Sequence, residues 1–312
     1  MPPFRKPAIR TVLALLVFFG ISYCASHVES LVLGPILSFL KDHWHLSFRT
    51  AFGPKPAVPV NLFTVITVER SLFALATTWI ALLIAKKPWT RAGLSQDRAI
   101  GLYRNGLLSG FVSITFLVLT MWIAGGLNSD GLRLQGMNRI TYPLRWLIGM
   151  LFAGFEEECG LRGFSLFAIE EIVGAWPAAI ISAAIFMGLH IGNPGENALG
   201  LLQVFAFGLL CSMNVLRTGS LWWAAAFHAA WDWTEESFYG TIGSGYWFDG
   251  HLLQFRPRGR TLISGGTAGP EGSLLVFAIL AVLLCYEVVM FRRKNSGDCH
   301  TLNMSTCQLL ST

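Results

Sequence analysis

Eight predominantly apolar stretches recur along this 312-residue chain, each close to the roughly 20 residues that a helix needs to cross a hydrocarbon core. They lie at 9–26, 65–85, 106–126, 143–169, 174–191, 198–216, 220–238 and 271–291. In lipid the backbone polar groups must be satisfied inside the segment, so stretches of this length fold as helices. Composition closes off the water-soluble alternatives. Only 13 % of the residues are charged and 53 % are hydrophobic, whereas a soluble domain carries about 25 % charge and could not hide so much apolar surface. The expected fold class is all-α, a polytopic membrane helical bundle of about eight transmembrane helices. That composition excludes a soluble enzyme, a disordered chain and a nucleic-acid binder, and the net charge of +5 reflects few acids rather than a basic patch, so it implies no polyanion partner.

The domain reading is an integral membrane domain over 1–294 and a short polar tail over 295–312. The segment 31–40 (LVLGPILSFL) is too short to span and contains Gly34-Pro35, so it reads as an interfacial or re-entrant piece. Arg5, Lys6 and Arg10 before the first apolar run also suit a signal peptide, but a retained first helix is the preferred reading for a polytopic chain. With the N-terminus inside, twelve Lys/Arg fall in inside segments and nine in outside ones, which favours both termini in the cytoplasm. The six cysteines show no CxxC pair, so neither a disulfide framework nor a zinc ribbon is expected. Localisation is a multi-pass integral membrane protein, in the plasma (inner) membrane if the host is bacterial.

Ionisable side chains inside spans are costly and therefore informative, and here they concentrate in 156–236. The fourth span carries Glu156, Glu157, Glu158 and Arg162; the fifth ends on His190; the seventh carries His228 and Asp232, then Glu235 and Glu236 near its exit. Residues four apart share a helix face. Glu158 and Arg162 can therefore pair and neutralise each other, while Glu157 points elsewhere and needs a partner from another helix. Glu157 and His190 are equidistant from a turn at Val173-Gly174, which puts both at similar depth in a helical hairpin. Phe186 shares a face with His190 and can pack behind its ring. His228 and Asp232 form a second pair one turn apart. Trp222, Trp223, Trp231 and Trp233 read as interface anchors.

Three patterns stand in order on successive spans: Glu157-Glu158-Cys159-Gly160-Leu161-Arg162 fits EExxxR, Phe186-Met187-Gly188-Leu189-His190 fits FxxxH, and His228-Ala229-Ala230-Trp231-Asp232 fits HxxxN/D. Over 143–238 the chain thereby resembles the CPBP family of intramembrane glutamic endopeptidases, which includes the CAAX prenyl protease 2 and Abi types. It departs from the common pattern at Leu161, where Phe is usual, and at Asp232, where the eukaryotic proteases have Asn.

The resemblance implies an intramembrane endopeptidase acting on a membrane-associated protein or peptide, CAAX-type prenylated substrates among them, with no cofactor and no nucleic acid partner. Glu157 and His190 would activate a water, and His228 and Asp232 would form the oxyanion site. Glu158, Arg162 and Phe186 would be structural support. An ionised Asp cannot donate to an oxyanion, so Asp232 would either be protonated or orient a protonated His228 from its far ring nitrogen, the second being preferred. The same residues are also an acceptable zinc set, although the preferred reading assigns no metal. The alternative functions are a non-proteolytic membrane scaffold or bacteriocin self-immunity protein, and a proton-coupled transporter.

Overall fold

In the computed structural model, residues 6–44, 59–245, 248 and 250–301 are described. Ten helices are found among them: α1 Lys6–Trp44, α2 Val60–Ala85, α3 Ala99–Ile123, α4 Asn138–Arg162, α5 Phe164–Val173, α6 Ala175–His190, α7 Ala198–Thr218, α8 Trp222–Asp232, the single turn α9 Thr261–Ser264, and α10 Leu274–Thr301. Five segments are long and apolar enough to cross a membrane: Ala8–Ala25, Val60–Ala85, Ala99–Ile123, Ala198–Thr218 and Leu274–Lys294. The remaining expected spans are α4, α6 and α8. Of these, α6 is apolar but has only 16 residues, while α4 and α8 carry the charged residues. The fold is an all-α polytopic membrane bundle. Among the described residues the strand content is one antiparallel pair, β1 Leu127–Leu132 against β2 Leu253–Pro257, with a bulge between Ser129 and Gly131.

Three boundaries differ from expectation. Residues 31–40 are not a separate interfacial piece: α1 runs through them as one helix of 39 residues, about 58 Å long at 1.5 Å per residue. Nothing between 27 and 30 breaks a helix, and propagation is favoured once a helix is nucleated. The stretch 143–169 is likewise not one helix. It breaks at Gly163 (φ −72°, ψ −125°), where a Cβ would collide with the Cys159 carbonyl oxygen. At the other end, α10 continues helically into the expected polar tail as far as Thr301; residues 302–312 lie outside the described residues.

Small residues let three helices close on one another. At Gly110 of α3 a Cβ would lie 2.9 Å from the Ala230 Cβ of α8, and at Gly154 of α4 it would lie 2.7 Å from Ala225 O and Ala229 N of α8. In a membrane, helix association relies on such close backbone approach rather than on a hydrophobic drive. Hydroxyl groups tie α2 to the same assembly: Thr67 Oγ1 donates to Gly149 O (3.2 Å) and Ser71 Oγ to Phe152 O (3.0 Å) on α4. On the far side of α7, Arg217 makes a two-pronged ion pair with Glu287 of α10, Nε to Oε2 at 2.6 Å and Nη2 to Oε1 at 2.9 Å. Glu287 lies in the last apolar stretch and was not among the expected buried charges.

The two ends of the bundle differ. One gathers the 86–98 connection, the turn between α7 and α8 and the end of α10: Leu221 N donates to Gly93 O, Trp222 Nε1 to Ser95 O, and Lys294 Nζ to Arg217 O. The other gathers the 191–197 and 239–273 connections, joined by Asn197 Nδ2 to Gly265 O and Thr267 Oγ1 to Gly195 O. There the Asn197 side chain caps α7 by accepting from Leu199 N and Gly200 N. Burial holds the neighbouring Glu196 carboxyl above its usual range, although the Asn197 N–H that it accepts opposes the shift. Trp231 is fully buried and Trp223 nearly so, so these two are core residues of the α8 packing rather than interface anchors.

Candidate functional site

Glu158 and Arg162 are both wholly buried, and they sit one turn beyond the Gly154 contact. Arg162 Nη1 donates to Glu158 Oε1 at 3.0 Å, its Nε reaches Ser212 Oγ at 3.5 Å, and its guanidinium lies over the Phe186 ring at 4.2 Å. Gly208 of α7 makes the room for this: a Cβ there would be 2.8 Å from Arg162 Nη2 and 3.1 Å from the Phe186 ring. Phe186 therefore has two duties, since His190 also packs edge-on against it at 4.5 Å.

The Gly154 contact brackets His228 between Ala225 and Ala229, and so brings His228 to Glu158. His228 Nδ1 lies 3.0 Å from Glu158 Oε1. A carboxylate only accepts, so Nδ1 carries the hydrogen. Asp232 was expected on the far ring nitrogen as the orienting group. Instead Glu158, from another helix, takes Nδ1, while Asp232 Oδ2 (3.5 Å) and Glu157 Oε2 (3.9 Å) both stand on the Nε2 side. Those two distances exceed a direct hydrogen bond.

Glu157, His190, His228 and Asp232 all line one cavity of about 930 Å³. Gly174 (φ +86°) makes the turn between α5 and α6, which brings His190 back to the level of Glu157. No hydrogen bond joins Glu157 to His190 among the described residues. The His190 Nδ1–H donates to Phe186 O at 2.9 Å, which leaves Nε2 as the acceptor of the neutral ring. Glu156 faces Arg70 of α2 at 3.7 Å.

The cavity wall includes residues that sequence reading left without a role. Glu271 stands in the Gly-Pro-Glu-Gly turn just before α10. It accepts from Trp231 Nε1 (3.0 Å), Gln203 Nε2 (3.4 Å), and Ser244 N and Oγ (2.8 and 2.7 Å). An isolated acid in a glycine-rich loop carries no periodicity, so nothing local marked it. Among the described residues no group of three or more His, Cys, Asp or Glu is arranged to hold a metal ion.

Residues 139–234, roughly a third of the chain, match the family model described as Rce1-like, type II CAAX prenyl endopeptidase Rce1-like. That segment is similar to the Rce1-like family. The family is one of proteases, and the Rce1-like segment holds all three sequence patterns and every residue described above on α4, α6 and α8. Neither a curated protein nor a solved structure matches the chain.

Proposed function

We propose that the Rce1-like core is an intramembrane endopeptidase that hydrolyses a peptide bond of a membrane-associated protein or peptide, of the CAAX-type prenylated class or a related lipid-anchored one. The observation that carries this reading is the two-sided setting of His228. Its Nδ1 is held by the Glu158–Arg162 pair, while its Nε2 faces Glu157 and Asp232 across gaps of 3.9 and 3.5 Å on the wall of a cavity large enough for a peptide segment.

In the proposed reaction Glu157 takes a proton from a water that the His190 Nε2 lone pair helps to orient. The water oxygen bonds to the scissile carbonyl carbon, and the carbonyl oxygen takes up the electron pair. His228, as an imidazolium, donates from Nε2 to that oxyanion, with Glu158 holding the opposite nitrogen. Collapse breaks the C–N bond, and the proton on Glu157 passes to the leaving amine. Asp232 balances the charge of the ring rather than donating to the oxyanion.

Comparing membrane proteomes of cells that express the wild type or Glu157→Gln at matched levels tests the reading. New peptide termini are expected only with the wild type, and they should persist in purified membranes treated with a metal chelator. Identical termini in both cells would reject proteolysis, and loss on chelation would replace the glutamate mechanism with a metal-dependent one.

The reading also includes a multi-pass disposition, in the plasma (inner) membrane if the host is bacterial. By the positive-inside rule the end with Lys86, Lys87, Arg91, Arg217 and the 292–294 cluster faces the cytoplasm. The cavity residues Asn193, Ser244 and Glu271 then belong to the opposite face. In intact cells an impermeant maleimide is expected to label Ser129→Cys and not Gln96→Cys, above the background of the native cysteines. The reverse pattern would invert the topology.

A further inference from the structure

Beyond His228, two side chains that line the cavity, Glu236 and Gln203, each carry a buried acceptor without a donor. Glu236, in the π-helical turn Trp233–Phe238 that follows Asp232, lines the same cavity; it is 7 % exposed and its Oε2 is buried without a hydrogen-bond partner. From α7 comes Gln203, 1 % exposed. Its Nε2 is engaged by Glu271, and its Oε1 is buried without a partner. Glu271, 6 % exposed, stands behind with its four neutral donors and no cation. Asp232, Glu236, Gln203 and Glu271 all line the cavity. Arg70 is the one Lys or Arg in that lining among the described residues, and it stands against Glu156 at 3.7 Å.

Carboxylates gathered in a low-dielectric wall repel one another, and a buried acceptor without a donor is costly to maintain. Both deficits are met by one kind of group, a cation that carries several hydrogens and no lone pair. The lysine ammonium and the arginine guanidinium are such groups. Because the acids are not arranged to hold a metal ion, a flexible side chain suits the wall better than an inorganic cation. We propose that Asp232, Glu236 and Gln203, backed by Glu271, form a specificity subsite for a lysine or arginine side chain of the substrate. The proposal rests on the proteolytic reading. Asp232 Oδ2 lies only 3.5 Å from His228 Nε2, so that side chain belongs to a residue within one or two positions of the scissile bond.

The test uses full-length Glu157→Gln protein in detergent, which separates binding from cleavage. The probes are fluorescent peptides with a farnesyl or a palmitoyl anchor, carrying lysine or norleucine at each of the two positions on either side of the anchored residue. Fluorescence anisotropy is expected to show one lysine position binding roughly ten-fold tighter than norleucine, the size of one charge-assisted hydrogen bond. The advantage should disappear when Glu236→Gln or Gln203→Met is added; gel filtration establishes which of the two keeps the fold, and either one suffices.

Equal affinities, no binding by any peptide, or a lysine advantage that survives both substitutions would overturn the subsite. The same peptides offered to the wild type separate the two ideas. Selective binding without cleavage would leave the subsite standing and remove the protease, whereas equal cleavage of lysine and norleucine peptides would do the reverse.

Discussion

Glu157→Gln is expected to reduce cleavage of a reporter substrate by about 10²–10⁴-fold, the range supplied by a positioned general base, with the protein still folded. The substitution is nearly isosteric, and the Glu157 side chain is 37 % exposed to the cavity, so little packing depends on it. Its polar neighbour is His228 Nε2 at 3.9 Å, too far for a structural hydrogen bond. What the amide cannot do is take a proton. Initial rates on purified protein, with the elution profile and melting temperature as controls, measure the effect. A rate within a few-fold of wild type would remove Glu157 from the chemistry. Loss of the folded peak would assign it a structural role instead.

Arg162→Ala is expected to be the most damaging single change to stability, at about 3–5 kcal/mol, the usual result of stripping the partner from a buried charge. Glu158 and Arg162 are both fully buried, and Glu158 Oε2 already has no hydrogen-bond partner. Without the guanidinium the Glu158 carboxylate would keep His228 Nδ1–H as its one partner in the centre of the bundle. The loss also removes the cation above Phe186 and empties the space that Gly208 leaves for it. Arg162→Lys should rescue the charge and not the planar stack, so an intermediate melting temperature is expected. Thermal unfolding in detergent measures the series. Unchanged melting in Arg162→Ala would show that Glu158 is not held as a carboxylate by this pair.

The two predictions differ in how far the sequence anticipates them. The Glu158–Arg162 pair is local: four residues apart on one helix, it follows from helical periodicity alone. The same holds for Phe186 behind His190. The second bond of Glu158, to His228, is not local. It depends on which faces of α4 and α8 meet, and that is decided by Gly154 against Ala225 and Ala229. Spacing along the chain says that His228 and Asp232 share a face. It does not say that a third carboxylate will take the other ring nitrogen first. For the same reason the expected joint action of Glu157 and His190 becomes a shared cavity wall rather than a hydrogen bond.

By itself the amino-acid sequence determined the membrane class, the all-α architecture, the turn at Gly174 and the helices that carry the ionisable residues of the site. Each of these follows from hydrophobic run length, glycine placement or the 3.6-residue repeat, which are local properties. Tertiary structure alone decided the rest. It made α1 one helix through 31–40, broke the fourth stretch at Gly163, turned Trp231 and Trp223 into the core, and set Glu271 behind Asp232 and Glu236. Close backbone contacts between helices, and a loop folded back over a helix end, are made by residues distant in sequence. No run length or periodicity records where such residues will meet.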